Sequence, residues 1–120
     1  GGELSRILLV LKTLVSSNSS TQVFDEVDSG IGGAVAEIVG EKLKKVSLNS
    51  QVLLVTHAPQ IAALADTHFL IQKSSSKKST KTSVEKLSDQ ERVQQIASML
   101  AGKEVSSEFQ DSARKLLGYS

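Results

Sequence analysis

The stretch from Thr21 to Gly33, TQVFDEVDSGIGG, constrains the fold of this chain more than any other part of the sequence. A short β-prone run ends in two adjacent carboxylates, Asp25 and Glu26, and a third acid, Asp28, lies in the glycine-rich turn that follows. Acids at the carboxyl end of a strand, before a turn into a helix, are typical of sites for phosphate and a divalent cation. Because side chains alternate along a strand, Asp25 and Glu26 cannot serve one ligand in the same way. We expect one to hold the metal and the other to face a nucleophile. The alternative is an acidic strand end that only caps the next helix.

Composition places the chain among globular proteins with an aliphatic core. It has 120 residues, which is one domain at most, with 39% hydrophobic and 22% charged residues. It has no cysteine, which excludes disulfides and thiolate metal sites and fits a reducing interior. No apolar run is long enough to span a bilayer, so no membrane partner is expected. The chain begins with a glycine pair and not with Met, so we expect it to be the carboxyl part of something longer.

Hydrophobic periodicity predicts an α/β fold with a mainly parallel sheet, flanking helices, a β-hairpin and two terminal helices. The predicted helices cover residues 4–15, 34–46, 60–65, 88–101 and 107–117, and the predicted strands cover residues 21–26, 51–56, 67–73 and 82–87. The run VLLV from Val52 to Val55 predicts a strand buried on both faces. In the helix over 34–46, the inward side chains are predicted to be Val35, Ile38, Val39, Leu43 and Val46. Ser88 to Glu91 has the pattern of a capping box, and Ser107 to Gln110 repeats it.

Three further features allow more than one interpretation. His57 follows the strand over 51–56 at the same kind of sheet edge as the acids, and it either contacts a ligand or caps the helix that begins near Pro59. The Ser/Lys segment over 74–81 could meet a nucleic-acid backbone, but the absence of interleaved aromatic residues favours a solvated hairpin tip. Asp66 and His68 could form a metal pair, although their place at a helix-to-strand junction favours ordinary surface residues.

Three stretches, GGELSR, VFDEVDSGIGG and VLLVTHAPQIAALAD, resemble in order and spacing the carboxyl half of an ABC-type ATPase head. The similarity is greatest to the SMC-like subgroup, and within it to a bacterial protein of DNA double-strand-break repair. The end of the chain also resembles that protein, so the resemblance covers essentially all 120 residues. It implies that the chain is the carboxyl-terminal lobe of the head, with the Walker A lobe and the coiled coil absent.

The resemblance implies a role for each matching residue. Asp25 would be the Walker B acid that holds Mg²⁺ through water, and Glu26 would be the general base that polarises the attacking water. His57 would be the switch histidine that senses the γ-phosphate of ATP. The segment from Asp28 to Gly32 would be the D-loop that crosses the dimer interface, with Asp28, Ser29 and Gly30 near the nucleotide. Gly1, Gly2 and Glu3 would be the rest of the ABC signature, which meets ATP bound by the opposite subunit.

The sequence also departs from the pattern of that family. Gly32 stands where most ABC proteins have an acid, and Gln22 stands where the Walker B strand is normally apolar. No GxxxxGK[ST] motif occurs in the 120 residues. Catalysis of phosphoryl transfer depends on the P-loop lysine, the metal and the base together, so we expect these residues alone to be inactive and unliganded. We also expect exposed apolar surface where the first strand and the P-loop helix would pack.

The resemblance implies a cytoplasmic, nucleoid-associated ATPase that acts in repair and recombination. Its partners would be the Walker A lobe of the same parent chain, a second head in an ATP-sandwiched homodimer, and DNA. Three alternatives remain open at this point. One is another SMC-like or RecF-like head, and the second is a non-catalytic α/β interaction domain. The third, a phosphatase-like or receiver-like Mg²⁺ domain, lacks a convincing acceptor aspartate with a partnering lysine.

Overall fold

The structure is a computed structural model that describes residues 21–26, 28–102 and 104–119. It divides into two compact units, residues 1–64 and residues 65–120, and each is treated by itself below. The helix predicted over residues 4–15 lies outside the described residues. Within the described residues, no helix has both the length and the apolar character that crossing a membrane requires.

The first unit contains a parallel pair of strands joined through a helix. Strand β1 is Thr21–Asp25, helix α1 is Gly33–Val46, strand β2 is Gln51–Val55 and helix α2 is Pro59–Ala62. Thr21 lies opposite Gln51 and Asp25 lies opposite Val55, so the two strands end at the same edge. A parallel pair needs a crossover connection, and the amphipathic α1 provides it. The predicted order of strand, helix, strand and short helix is confirmed for this unit.

The core of the first unit is small and lies between α1, α2 and one face of the strands. The buried residues are Ala36, Val39, Leu43 and Ile61. Gly40 is buried among them, where an added Cβ would lie 2.8 Å from Leu64 Cδ1, so the helices approach closely because this residue has no side chain. The prediction that Ile38 faces inward is wrong, since Ile38 is 53% exposed. The buried stripe passes through Ala36 and Gly40, whose small size hid them from a pattern of large apolar residues.

The prediction that β2 is buried on both faces is also wrong for the described residues. Phe24, Val52 and Leu54 are partly buried against the core cluster. On the opposite face Val23 is 73% exposed, and Leu53 and Val55 are each 49% exposed. The reason is that the core cluster lies on only one face of the two strands. The expectation of exposed apolar surface agrees with this finding.

The second unit joins a hairpin to two helices. Strand β3 is Phe69–Ser76, strand β4 is Ser79–Lys86, helix α3 is Asp89–Ala101 and helix α4 is Ser107–Leu117. The hairpin is antiparallel and turns through two residues, since Ser76 pairs with Ser79. The predicted loop over 74–81 is therefore wrong, because most of it continues the strands. The described strands form one parallel and one antiparallel pair, so a mainly parallel sheet is only partly confirmed.

The helices of the second unit pack through small and branched apolar residues. The buried ones are Val93, Ile96, Ala97 and Ala113. The capping box is confirmed: Ser88 Oγ accepts from Glu91 N at 3.2 Å, and Ser88 N donates to Glu91 Oε1 at 3.0 Å. The second predicted box is wrong. Ser107 is already the first helical residue, and Ser106, which precedes it, makes no side-chain cap. The third helical residue, Phe109, has no side-chain acceptor for the reciprocal bond of a capping box.

Candidate functional site

The acids of the Walker B-like stretch and His57 follow two neighbouring strands that end together. Asp25 is the last residue of β1 and pairs with Val55, the last residue of β2. Glu26 continues the ladder by one bond, because its N–H donates to Val55 O at 3.0 Å. His57 lies two residues beyond β2. The carboxyl edge of the parallel pair therefore brings together residues more than 30 positions apart, and this edge is where open α/β sheets bind ligands.

The turn after β1 has an unusual backbone at its first residue. Glu26 has φ 51°, and among the described residues it is the one non-glycine residue with a positive φ. Its carbonyl accepts from Ser29 N at 3.1 Å, and the carbonyl of Asp28 accepts from Ile31 N at 3.2 Å. Gly30 has φ 78°, a conformation that glycine adopts without steric cost. Two successive turns thus carry the chain from the strand end to α1. Left-handed backbone at a non-glycine residue is a feature that clusters at functional sites.

Asp28 connects this turn to the loop that follows β2. Its side chain is 1% exposed, and Oδ2 accepts from the backbone N–H of His57 at 3.1 Å. The same oxygen lies 3.4 Å from His57 Nδ1, while the imidazole itself is 73% exposed. The other carboxylate oxygen, Oδ1, is buried and accepts no hydrogen bond from the described residues. Asp28 therefore holds the His57 loop against the acidic turn, and the histidine ring projects toward solvent.

The loop that carries His57 is shaped by its neighbours. Thr56 Oγ1 accepts from Ala58 N at 3.0 Å, which closes a tight turn around the histidine. Ala58 accepts in turn from Ile61 N and Ala62 N, and Pro59 occupies the first position of α2. Sequence reasoning did not single out Thr56. The available signal was a hydroxyl residue two positions before the residue that precedes proline, a common arrangement for a side chain that hydrogen-bonds its own backbone.

The carboxylates at this edge suit a hard cation in chemical type but do not form a complete cage. Asp25 and Glu26 are exposed and offer oxygen ligands, which Mg²⁺ prefers. Among the described residues, no group of three or more acidic, histidine or cysteine side chains could hold a metal ion. Mg²⁺ in phosphate-handling sites is usually held by one or two carboxylates together with waters and substrate phosphates. The donor set therefore fits that kind of shared coordination.

The structure brings some of the predicted site residues together, and others lie outside the described residues. Asp28, Ser29, Gly30 and His57 share one loop cluster, next to Asp25 and Glu26 at the strand ends. Gly1, Gly2 and Glu3 lie outside the described residues. Gln22, the polar residue in the strand, is 7% exposed and lies on the covered side of the sheet. The sequence analysis assigned Asp28 only to the D-loop and missed its bond to the His57 backbone.

His68 belongs to the second unit and differs from the ordinary surface residue that was expected. It is half-buried, and burial lowers its pKa below 6.5, with a further lowering from the nearby positive charge of Arg92. Its Nδ1 is buried without a hydrogen-bond partner among the described residues, whereas Asp66 is exposed. The guanidinium of Arg92 donates to Ala65 O at 2.8 Å.

Comparison with known proteins finds relatives among DNA repair proteins. No family model matches the chain. The DNA repair protein RecN of Bacillus subtilis is 48% identical over 119 residues, which is 98% of this chain and 21% of that protein. RecN of Rickettsia bellii and RecN of Treponema pallidum are each 45% identical over 98% of this chain. The chain spans about a fifth of the length of these relatives. The resemblance to RecN is confirmed.

A solved structure supports the same fold. It belongs to work on the ATP-driven dimerization and DNA-stimulated activation of SMC ATPases, and it is similar to this chain with a TM-score of 0.65. The similarity covers 87% of this chain and 63% of the other, at 21% sequence identity. At that identity the likeness shows the fold alone: the helices and strands of this chain are arranged like those of part of that structure.

Proposed function

We propose, from the premise that this chain matches one segment of the DNA repair protein RecN over nearly its whole length, that it is the carboxyl-terminal lobe of an SMC-like ATPase head. In this proposal the head acts in DNA double-strand-break repair and recombination, in the cytoplasm at the nucleoid. ATP bound between two heads joins them, and hydrolysis parts them. The identity of 42 to 48% among RecN relatives supports the assignment, and the SMC fold agrees with it.

Each site residue has a distinct part in the proposed mechanism. Glu26, one residue past the strand, accepts a proton from the water that attacks the γ-phosphate. Asp25 would hold Mg²⁺ through water, and the ion would supply positive charge opposite the phosphate oxygens. His57 donates a hydrogen bond to the γ-phosphate. The backbone of Asp28 and Gly30 and the side chain of Ser29 face the second head, and the amides of Gly1, Gly2 and the acid Glu3 meet ATP bound by that head.

The observation that carries the proposal is the bond between Asp28 and the backbone of His57. A switch histidine must report on the γ-phosphate to the segment that crosses the interface. Asp28 Oδ2 accepts from His57 N at 3.1 Å and is almost fully buried, so a displacement of the His57 loop displaces the turn that carries Ser29 and Gly30. The exposed imidazole on a buried anchor is the arrangement expected of a group that meets a ligand from outside the unit.

The proposal requires the rest of the head. The 120 residues contain no GxxxxGK[ST] motif, and without that loop and its lysine the cluster lacks the group that positions the β- and γ-phosphates. We propose that this segment alone is inactive and that it works with an amino-terminal Walker A lobe, with a second copy of the head, and with DNA. Mixing this chain with a separately produced Walker A lobe should restore ATP binding that neither part shows alone.

The decisive experiment is Glu26→Gln in a polypeptide that supplies both lobes. Loss of a general base should lower ATP turnover by about 10²- to 10⁴-fold, while ATP binding and head association persist because the amide keeps the shape of the side chain. Turnover is measured by phosphate release and association by light scattering with ATP. Glu41→Gln, an exposed glutamate on α1, is the matched control and should behave as wild type. Unimpaired turnover in Glu26→Gln would remove Glu26 from its proposed role and favour the non-catalytic interaction domain.

A further inference from the structure

The β3–β4 hairpin has a positive net charge, whereas the rest of the chain has a negative net charge. From Phe69 to Lys86 the sequence contains five lysines and one acid, a net charge of +4. The whole chain has a net charge of +1, so the remaining residues carry −3. The lysines are Lys73, Lys77, Lys78, Lys81 and Lys86, and all five are exposed. An exposed charge segregated in this way generates a local positive potential that attracts polyanions.

The register of the hairpin separates its two faces. Lys86 lies opposite Phe69, and Val84 lies opposite Ile71, so these residues share one face with Lys73. Phe69, Ile71 and Val84 are 55 to 65% exposed. The single acid of the hairpin, Glu85, lies opposite Leu70 on the other face. That face borders a cleft lined by Leu70, Glu85 and residues of α3. The face of Phe69 therefore combines Lys73 and Lys86 with apolar surface and has no carboxylate, whereas Lys81 lies on the face of Glu85.

The hairpin is long enough to present its lysines as a series. Each strand has eight residues, so the ribbon extends roughly 25 Å at about 3.3 Å per residue. Lys73 lies four positions from the root at Phe69, or about 13 Å along the strand, and the turn lysines Lys77 and Lys78 lie about the same distance beyond it. Between residues 74 and 83 there are also seven serine or threonine side chains. Such hydroxyls commonly donate to phosphate oxygens in protein–DNA contacts.

We propose that this hairpin binds the phosphate backbone of duplex DNA without reading its sequence. A two-stranded ribbon fits the major groove, which is about 12 Å wide. The hairpin has one aromatic residue, Phe69 at its root, so it lacks the stacking platform that single-stranded nucleic acid requires. Residues 74–83 contain no arginine, asparagine, glutamine or acid, so apart from lysine they have none of the side chains that form paired contacts with base edges. The choice of DNA among polyanions rests on the proposed function, but the hairpin contact itself does not require ATP hydrolysis.

The test compares two triple variants with the same change of charge. One is Lys73→Gln with Lys77→Gln and Lys78→Gln in the hairpin. The control is Lys42→Gln with Lys45→Gln and Lys115→Gln, three exposed lysines outside it. Both are made in the full-length polypeptide that carries this segment. Binding to a labelled duplex of about 30 base pairs, roughly three helical turns, is followed by fluorescence anisotropy from about 50 to 200 mM salt.

The hairpin variant should bind the duplex at least about tenfold more weakly than wild type at the lowest salt. Its slope of log affinity against log salt should be shallower by about 2 to 3, since each lost phosphate contact removes about 0.9. The control should keep the wild-type slope. Lys73→Arg with Lys77→Arg and Lys78→Arg keeps the charge and should keep wild-type binding. Amide exchange across the β3–β4 ladder checks that the hairpin is formed in every variant.

Several results would overturn the proposal. One is equal affinity and slope in the hairpin and control variants while the hairpin remains folded. Another is displacement of the duplex by polyglutamate as effectively as by unlabelled duplex, which would mark the hairpin as a surface for acidic proteins. ATP turnover without DNA is measured in the same preparations. If the wild-type protein does not hydrolyse ATP, the proposed ATPase function is wrong. If wild-type turnover is present but the hairpin variant binds DNA as tightly as wild type, only the hairpin proposal is wrong.

Discussion

Glu91 and Asp28 each accept a hydrogen bond from a backbone N–H, but one bond is local and the other joins distant parts of the chain. In the second unit, Glu91 accepts from Ser88 N, three residues back, at an exposed helix start. In the first unit, Asp28 accepts from His57 N, 29 residues away, and its side chain is 1% exposed. The first bond forms within one turn of chain, and the second exists only when β1 and β2 are paired.

The Glu91 bond is a local helix cap, whereas the Asp28 bond is a tertiary contact. A capping box satisfies the free amides at the start of one helix and stabilises that helix with little effect elsewhere. A buried carboxylate that bridges two loops couples their positions, and removing it leaves a donor without its partner. We therefore expect substitutions at Asp28 to act on the fold and the proposed site together, and substitutions at Ser88 or Glu91 to act on α3 alone.

The largest effect on stability is expected for Asp28→Ala. It removes the acceptor of the His57 amide, and a hydrogen bond to a charged group contributes about 1.5 to 3 kcal/mol, so the free energy of unfolding should fall by about 2 kcal/mol. Urea unfolding measures the fall, and hydrogen exchange at the His57 amide should accelerate. Asp28→Asn should lose less, because its amide oxygen can still accept. Equal losses in the two variants would show that the negative charge, and not the acceptor, holds the loop.

A smaller effect is expected for Ser88→Ala. Replacing a serine N-cap by alanine costs about 1 kcal/mol of stability. Exchange of amides in the first turn of α3 should accelerate, while the His57 amide keeps its wild-type protection. Ser106→Ala is the matched control, since Ser106 precedes α4 without making a side-chain cap. A loss as large as that in Ser88→Ala would show that the hydroxyl acts on the unfolded chain and not through the cap.

The capping box should also depend on pH. The backbone N–H of Ser88 stabilises the ionised carboxylate, and with the Ser88 hydroxyl it lowers the pKa of Glu91 below 4.5. The contribution to stability is therefore fully present above about 4.5 and is lost as the pH falls through the lowered pKa. Amide exchange in the first turn of α3, followed below pH 5, reports this loss. Glu91→Gln should make that local protection insensitive to acid over the same range, and unchanged acid sensitivity would contradict the assignment.

The smallest effect on stability is expected for His57→Ala. Asp28 bonds the backbone amide of His57, which alanine retains, and the imidazole is 73% exposed. The free energy of unfolding should change by no more than about 0.5 kcal/mol, the usual range for surface substitutions. ATP turnover by a two-lobed polypeptide should nevertheless fall, because the proposed γ-phosphate contact is lost. A large loss of stability would instead make the imidazole a structural group and weaken its proposed sensing role.

The same contrast explains what the sequence could predict. The strand ends at Asp25, helix α1, the hairpin and the box at Ser88 each depend on neighbours within a few residues, and each was predicted with small errors in extent. Sequence pattern also placed His57 at the same edge as Glu26, because parallel strands of similar length end together.

What the sequence could not predict depends on contacts between distant residues. The bond from His57 to Asp28 cannot be read from either loop alone, and the exposed face of Val23 and Leu53 depends on which elements cover the strands. The box predicted at Ser107 was wrong for a different reason. Ser106 and not Ser107 precedes the first helical residue, so the third helical position is Phe109, which has no side-chain acceptor. Small errors in register therefore have large chemical consequences at helix ends.

The left-handed backbone of Glu26 affects which residues selection favours at this position. A residue with a side chain is disfavoured in that conformation by about 1 to 2 kcal/mol relative to glycine, so Glu26→Gly should make the folded chain more stable. In a mutational library sorted only for folded protein, glycine should accumulate at this position. In the same library sorted for survival after DNA breakage, glutamate should persist. If glycine accumulates under the first selection and glutamate persists under the second, the glutamate is kept for its chemistry at the expense of stability.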